Sequence, residues 1–313
     1  MRAVTVTGFG GPEVLEYGEV PDPAPGPGQV LIDVAVADVL FLDTMLRSGA
    51  GREYFPVRPP YVPGGGVAGT VLAVGFGADP ALVGHRAVAH TGISGGYAEQ
   101  AIAEVGDLVP VPHGRNVATA AALLHDGITA LALVTATGVG PGTSVLVVGA
   151  SGGLGVASVQ LAAARGARVV ATGRQPKLDR IRMLGVAEVV DTGDPDWAAG
   201  IGPFDVVLDN VGGELGAAAF ELVTPGGRFS AHGTPSGAFT AVDPAAAAAR
   251  GITLHGITDV QFDPATLRRL TAAALAEPAL QPVIGQTFQL EKAADAHRAI
   301  AERCVFGKTL LTV

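Results

Sequence analysis

The stretch Val145-Leu146-Val147-Val148-Gly149-Ala150-Ser151-Gly152-Gly153-Leu154-Gly155 runs from an apolar strand into a helix through closely spaced glycines. Without side chains, the backbone there can turn tightly and let a pyrophosphate approach the N–H groups and positive end of the helix. Ala150, Ser151, Gly152, Gly153, Leu154 and Gly155 are therefore candidate contacts for the diphosphate of a dinucleotide. The alternative is an ordinary strand-to-helix turn, but a strand before and a helix after are the context that makes such a loop informative. NAD enzymes place an acid about 20 residues further on to hold the ribose hydroxyls. Here that place holds Gly173-Arg174-Gln175-Pro176-Lys177, and no carboxylate follows until Asp179, inside the next helix. Arg174 and Lys177 can hold a 2′-phosphate through charge-assisted hydrogen bonds, which favours NADPH over NADH. The competing reading makes them ordinary solvated basic residues.

A second chemical feature is the dipeptide His125-Asp126, which interrupts the greasiest stretch of the chain, Ala118 to Val139. Placing that dipeptide in lipid is costly, so the stretch reads as interior helices rather than a membrane span. Asp126 is suited to cap a helix starting at Gly127. His125 either relays a proton in catalysis or is a buried histidine with its partners satisfied.

The elements that must position these residues fall into two groups. The chain has 313 residues, 48% of them hydrophobic, which is better divided into two domains than packed into one. Residues 1–115 read as short strands and turns punctuated by Gly and Pro, with strands at Val30 to Val34, Val67 to Val74 and Leu108-Val109. From 116 to 282 the rhythm becomes strand, glycine turn, helix. Strands are expected at Ser144 to Val148, Arg168 to Thr172, Glu188 to Val190, Asp205 to Leu208, Arg228 to Ala231 and Ile252 to Leu254. That is the pattern of a doubly wound parallel α/β sheet of the Rossmann type. A strand at Gln286 to Leu290, a helix at Ala293 to Arg303 and a last strand at Lys308 to Val313 close the chain, the last returning to the first domain.

Composition removes several function classes. The single cysteine, Cys304, rules out an internal disulfide and multi-cysteine metal sites and fits a cytoplasmic setting. A net charge of −9 without a basic stripe argues against nucleic acid. The N-terminal segment alternates like a strand and lacks the apolar core of a signal peptide.

Five further segments carry a resemblance over nearly the whole chain. Pro60-Tyr61-Val62-Pro63-Gly64, Gly95-Gly96-Tyr97-Ala98-Glu99, Gly127-Ile128-Thr129-Ala130, Asp205 to Gly213 and Val305-Phe306-Gly307-Lys308 occur in the order found in zeta-crystallin-like quinone oxidoreductases. The chain thus resembles the zinc-free quinone oxidoreductase branch of the medium-chain dehydrogenase/reductase superfamily. The resemblance implies a GroES-like β-barrel over 1–115, completed by 283–313, a Rossmann NADPH-binding domain over 116–282, and a cofactor cleft between them. It implies that Thr129, Asn210, Gly233 and Lys308 line the cofactor; by residue type alone, Thr129, Asn210 and Gly233 are equally suited to caps and turns. The zinc branch needs a cysteine near position 40 and a Gly-His-Glu element, whereas this chain has Leu40 and Gly64-Gly65-Gly66, so no metal is expected. It also departs from its own branch. Leu40 and Met45 replace the usual Asn and Tyr, which gives a more apolar substrate pocket lined by Leu40, Met45, Tyr54 and Tyr61, and Thr192 stands where a tyrosine is common.

The chemistry implied is hydride transfer to a quinone or an α,β-unsaturated carbonyl compound, which leaves negative charge on an oxygen that hydrogen-bond donors must stabilise. Candidates are Thr129, Tyr54 in the loop Gly51 to Pro56, Tyr61 and the cofactor's ribose hydroxyl, with His125 as the proton relay. Two other readings stand beside this one: an enoyl-thioester or polyketide-tailoring enoyl reductase, and a non-catalytic NADPH-binding protein. A homodimer is expected through the apolar strand around Gly251 to Ile257, unless that strand is interior.

Overall fold

Strand β3 (Gln29–Val39) sets the frame of the first unit. Its side chains alternate between the core and the opposite face over the first half, then become buried on both sides from Val36 to Val39. The computed structural model describes residues 1–51 and 55–313. Around β3 stand β1 (Arg2–Val6), β2 (Leu15–Glu19), helix α1 (Phe41–Ser48), β4 (Gly66–Val74), β5 (Arg86–His90), β6 (Gln100–Glu104) and β7 (Leu108–Pro110). Helix α2 (Val117–Leu123) follows, with the Asn116 side chain accepting from Thr119 N at its start.

The next elements are α3 (Asp126–Ala136), β8 (Ser144–Val148), α4 (Gly153–Ala164), β9 (Arg168–Gly173), α5 (Leu178–Arg182), β10 (Glu188–Asp191), β11 (Phe204–Asp209), α6 (Gly213–Glu221), β12 (Val223–Ala231), α7 (Pro244–Ala249) and β13 (Thr253–Gly256). Then come α8 (Pro264–Ala276), β14 (Ile284–Gln289), α9 (Ala293–Ala301) and β15 (Lys308–Thr312).

The chain forms two compact units: 1–125 with 264–276 and 284–313, and 126–263 with 277–283. The first holds a two-stranded antiparallel ribbon, β1-β2, and a seven-stranded sheet in the order β14-β15-β3-β4-β5-β7, with β6 also paired to β3. β15 runs antiparallel to β3, Leu310 opposite Asp38, so the C-terminal strand joins the N-terminal sheet as the sequence led us to expect. The core of this unit is built from Val30, Ile32, Val67, Tyr97, Leu108, Leu290 and Leu311, among others.

The second unit is a six-stranded sheet in the order β10-β9-β8-β11-β12-β13, every neighbouring pair parallel. That is the doubly wound dinucleotide order, with the strand crossover beside β8. Covered on both faces, β8 and α4 are apolar all round rather than amphipathic. Phe220 and Phe229 meet edge to face with ring centroids 5.3 Å apart in its core, and Arg250 lies over the Phe220 ring.

The unit boundary differs from the sequence expectation of 115/116. It falls after His125, because α2 packs on β3, β4, β5 and β15, while α8 packs on β7 and α2. Both helices are short and apolar, so their periodicity does not reveal which sheet they cover. Helix α3 begins at Asp126, one residue earlier than expected. No single helix among the described residues is long and apolar enough to cross a membrane; α2 and α3 reach that length together but bend by 45° at the His125 break.

Leu311 on β15 is fully buried in the first unit's core. Leu311→Ala is expected to cost about 2–5 kcal/mol of that unit's stability in urea denaturation of the full chain. An unchanged midpoint would mean that the terminal strand is not integral to the sheet.

Candidate functional site

The glycine loop sits between β8 and α4 as its spacing predicts. Gly149 has φ +74°, and a Cβ there would lie 2.5 Å from Val211 Cγ2, so only glycine suits the turn. Gly149 N donates to Thr172 Oγ1 at 3.1 Å and Ala150 N to the Thr172 carbonyl at 2.9 Å, which fastens the loop to the end of β9. A Cβ on Gly155 would lie 2.4 Å from the Gly149 carbonyl, so this glycine lets the helix approach the strand. Over Gly152 a Cβ would meet nothing within 4 Å, and no side chain caps the first turn of α4. Open space above an uncapped helix N-terminus fits a pyrophosphate.

At the end of β9, Gly173 is buried; a side chain there would strike Ile181. Its carbonyl accepts both the backbone N–H and the hydroxyl of Thr192, at 2.8 and 3.1 Å. Thr192 therefore fixes the strand end rather than reaching outward. Arg174 is exposed, Lys177 is half-buried at the N-cap of α5, and Asp179 is ion-paired to Arg182. No carboxylate stands at the place where an acid would hold ribose hydroxyls, because the first one belongs to the helix.

Asn210 follows β11. Its Nδ2 donates to the Val148 carbonyl at 2.9 Å and its Oδ1 accepts from His232 Nε2 at 2.7 Å; His232 Nδ1 accepts in turn from the Ser230 hydroxyl at 3.0 Å. Burial brings the His232 pKa down to about 4, so the ring is neutral and a single tautomer satisfies this chain. Gly233 passes so close to residue 210 that a Cβ would lie 1.9 Å from the Asn210 carbonyl carbon. Asn210, His232 and Gly233 thus form one rigid corner at the ends of β11 and β12. His232 was not singled out from sequence; only its position one residue before Gly233 pointed to it. Thr129 is half-buried on α3.

In the first unit the sequence expectations meet two buried polar clusters. Lys308 Nζ makes an ion-pair contact of 2.7 Å with Asp38 Oδ1, and His125 Nδ1 donates to Asp38 Oδ2 at 3.0 Å. Burial pushes the Asp38 pKa up, but the Lys308 ammonium and His125 outweigh it, and the carboxyl is held below its ordinary range. The His90 ring meets His125 edge to face, centroids 5.0 Å apart, and its Nε2 lies 3.4 Å from Thr271 Oγ1. Desolvation lowers His90 to about 3, so it is neutral. Asp38 is the residue that sequence reasoning missed. A lone carboxylate in the apolar run Val36-Ala37-Asp38-Val39-Leu40 was the available signal.

The second cluster lies at α1. Asp43 Oδ2 accepts from Leu40 N at 2.8 Å and from Tyr97 OH at 3.1 Å, and His297 Nε2 donates to the Tyr97 oxygen at 3.1 Å. Burial raises Asp43 to about 6, partly opposed by the Leu40 N–H. Burial also raises Tyr61 to about 12, and its hydroxyl has no hydrogen-bond partner among the described residues. Leu40 caps α1 and Met45 is half-buried on it, with its Cε 3.8 Å from where a Cβ on Gly51 would stand. Leu40, Met45 and Tyr61 thus belong to the same unit as His125. Tyr54, also expected in the substrate pocket and in catalysis, lies outside the described residues.

A parallel nucleotide-type sheet in one unit and a mixed sheet closed by the C-terminal strand in the other define a two-unit dehydrogenase/reductase. Residues 26–113 match the family "Alcohol dehydrogenase GroES-like domain", and residues 184–311 match "Zinc-binding dehydrogenase". Quinone oxidoreductase of Mus musculus is 34% identical over 323 residues, covering 96% of this chain and 94% of that protein. A mycobacterial protein solved in complex with NADPH is 30% identical, with a TM-score of 0.90 and full coverage of both chains. The Pseudomonas syringae quinone oxidoreductase is 29% identical, with a TM-score of 0.91 over 100% of this chain and 99% of that one. This chain belongs to the quinone oxidoreductases of the medium-chain dehydrogenase/reductase superfamily.

One matched family carries zinc in its description, but the residues here do not fit that ion. Leu40 offers hydrocarbon and Gly65 and Gly66 offer no side chain. A Cβ on Gly66 would lie 2.5 Å from Leu124 Cδ2 and 2.6 Å from His125 Cε1, so the imidazole fills the room a ligand at 66 would need. Among the described residues no group of three or more His, Cys, Asp or Glu is placed to hold a metal.

Between the ordinary carboxylate value of 3.8 and about 6, the folded state keeps a proton on Asp43 that the unfolded chain has lost. Stability therefore falls as pH rises through that window, by about 3 kcal/mol at most. Asp43→Asn should lack this loss, so its stability relative to wild type should increase between pH 4 and pH 7 in denaturant titrations. A constant difference between the two proteins would show that Asp43 titrates normally.

Proposed function

We propose that this protein transfers a hydride from NADPH to quinones or α,β-unsaturated carbonyl compounds without a metal ion. The observation that carries the reading is the uncapped glycine loop of α4 next in sequence to a β9 end that offers Arg174 and Lys177 and no carboxylate. The quinone oxidoreductase relatives and the NADPH complex of the mycobacterial protein support it. When bound, the reduced nicotinamide supplies the hydride.

The chain's own residues then have separable tasks. The loop from Ala150 to Gly155 receives the pyrophosphate at the positive end of α4, through N–H groups other than that of Ala150, which the Thr172 carbonyl holds. Arg174 and Lys177 grip the 2′-phosphate, with Gly173 and Thr192 fixing the strand end they project from. Asn210 and Gly233, held rigid by His232, and Thr129 border the cofactor's ribose and ring. Leu40, Met45, Tyr54 and Tyr61 shape an apolar acceptor pocket, with Tyr54, Tyr61 and Thr129 as donors toward the developing oxyanion. We place the reaction in the cytoplasm.

NADPH and NADH oxidation by metal-stripped protein, measured against quinones, enones and an enoyl-thioester, tests the reading. Turnover should prefer NADPH, and Arg174→Ala should lower that preference by about tenfold or more, the worth of one charge-assisted contact. Preference for the thioester would move the assignment to an enoyl-thioester reductase. NADPH binding without turnover of any acceptor would leave a non-catalytic binding protein.

We also propose a homodimer through β13, which ends the strand order of its sheet and exposes Leu254. Light scattering should report a dimer for the wild type and a monomer for Leu254→Lys; a wild-type monomer would dismiss this.

A further inference from the structure

We propose that His125, held by Asp38 through Nδ1, is the acid that gives a proton from Nε2 to the acceptor's carbonyl oxygen, and that Asp38 is its positioning residue. The proposal rests on the reductase reading above and deepens it. Three observations converge on the imidazole. First, Asp38 is fully buried and already bears the Lys308 ammonium on its other oxygen. Such a carboxylate has no proton to give, so the His125 contact must be an Nδ1–H donated to it. Nε2 is left as the position that gains and loses a proton.

Second, the imidazole is the part of this network that reaches the surface. The His125 side chain is 23% exposed, against 0% for Asp38 and 5% for Lys308. A ligand entering the first unit can meet the network at His125 and not behind it. Third, Nε2 points at Gly65, where a Cβ would lie 3.6 Å away, and the ring edge occupies the room over Gly66. The ring therefore lies against room that two absent side chains leave, and an acid at Nε2 can donate there to a carbonyl oxygen.

Several titratable groups surround the ring. Facing it are Asp38 from β3, Asp43 from α1 and His90 from β5, with Asp126 next in the chain and Lys308 from β15 beyond Asp38. Once an enone has accepted a hydride at its β-carbon, the former C=C pair has moved so that the oxygen carries the negative charge. The Nε2–H bond breaks, an O–H bond forms, and the imidazolium becomes neutral imidazole. Water returns the proton to Nε2, and the enol becomes the saturated ketone. With a quinone, the same transfer yields the hydroquinone.

Turnover by the purified full-length His125→Gln and Asp38→Asn proteins tests the role. His125→Gln should lower kcat by about 10²-fold or more, the usual worth of a general acid, with NADPH affinity within about twofold of wild type. A decline of kcat with rising pH is expected of the wild type and should be absent from this variant. Asp38→Asn should lower kcat by about tenfold or more through loss of the Nδ1–H tautomer. Because that variant leaves Lys308 without its counter-charge, the double variant Asp38→Asn, Lys308→Met provides a second route and should show the same loss. Independently of activity, ¹⁵N NMR of the wild-type imidazole should find Nδ1 protonated throughout and Nε2 titrating, a bias lost in Asp38→Asn. Wild-type turnover that His125→Gln retains within twofold, or an Nδ1 that titrates, would overturn the proposal alone. A wild type that binds NADPH and reduces no acceptor would overturn the reductase reading and this role with it.

Discussion

A carboxylate with no solvent exposure, Asp38, constrains this structure more than any other single group. Taking its charge out of water costs several kcal/mol, and the arrangement exists because Lys308 and His125 face its two oxygens. One partner comes from the last strand and the other from the break between α2 and α3. The pair is not a large source of net stability, since buried ion pairs seldom are, but removing either partner strands the other in a medium that cannot solvate it. It therefore selects one arrangement: β15 against β3, and α2 ending where His125 can turn inward. The same constraint explains why the apolar stretch from Ala118 to Val139 is broken at a titratable dipeptide. His125 leaves the helix axis to reach Asp38, and Asp126 starts the next helix, where its charge suits the positive end.

Glycines do complementary work by being absent side chains. Gly66 and His125 are a matched pair: the ring fits because position 66 has no Cβ. Gly233 and Asn210 are matched in the same sense, and so are Gly155 and the Gly149 carbonyl. At each place close packing adds to the hydrogen bonds that hold the group, so even a methyl group would displace it.

Much of the nucleotide-binding unit was legible in the sequence because its signals are local. The six strand segments stand within a few residues of their expected limits, and the loop from Gly149 to Gly155 occupies the strand-to-helix turn its spacing describes. The first unit was less legible because its organisation is non-local. Nothing near Asp38 in sequence says that its partners lie at positions 125 and 308, and nothing near Asp43 says that Tyr97 and His297 complete its cluster. The compact units differ from the expected limits for a related reason: α2 and α8 are short apolar helices, and which sheet they cover depends on contacts that periodicity does not encode. Nor does the sequence around Lys308 say that its ammonium faces Asp38.

The chain's departures from its family are unevenly spread. The glycine loop, the Arg174 strand end and the Asn210 to Gly233 corner in the second unit follow general requirements of dinucleotide binding. Leu40 and Met45 depart from the branch in the first unit, where Gly65, Gly66 and His125 also stand, and Thr192 departs from it in the second. A fold of this kind keeps the hydride-bearing partner constant and changes what is done to the acceptor. The imidazole at 125 fits only because position 66 has no Cβ, so the two positions are coupled. Selection on acceptor chemistry would therefore move Gly66 and His125 together, while leaving the nucleotide loop on β8 and α4 untouched.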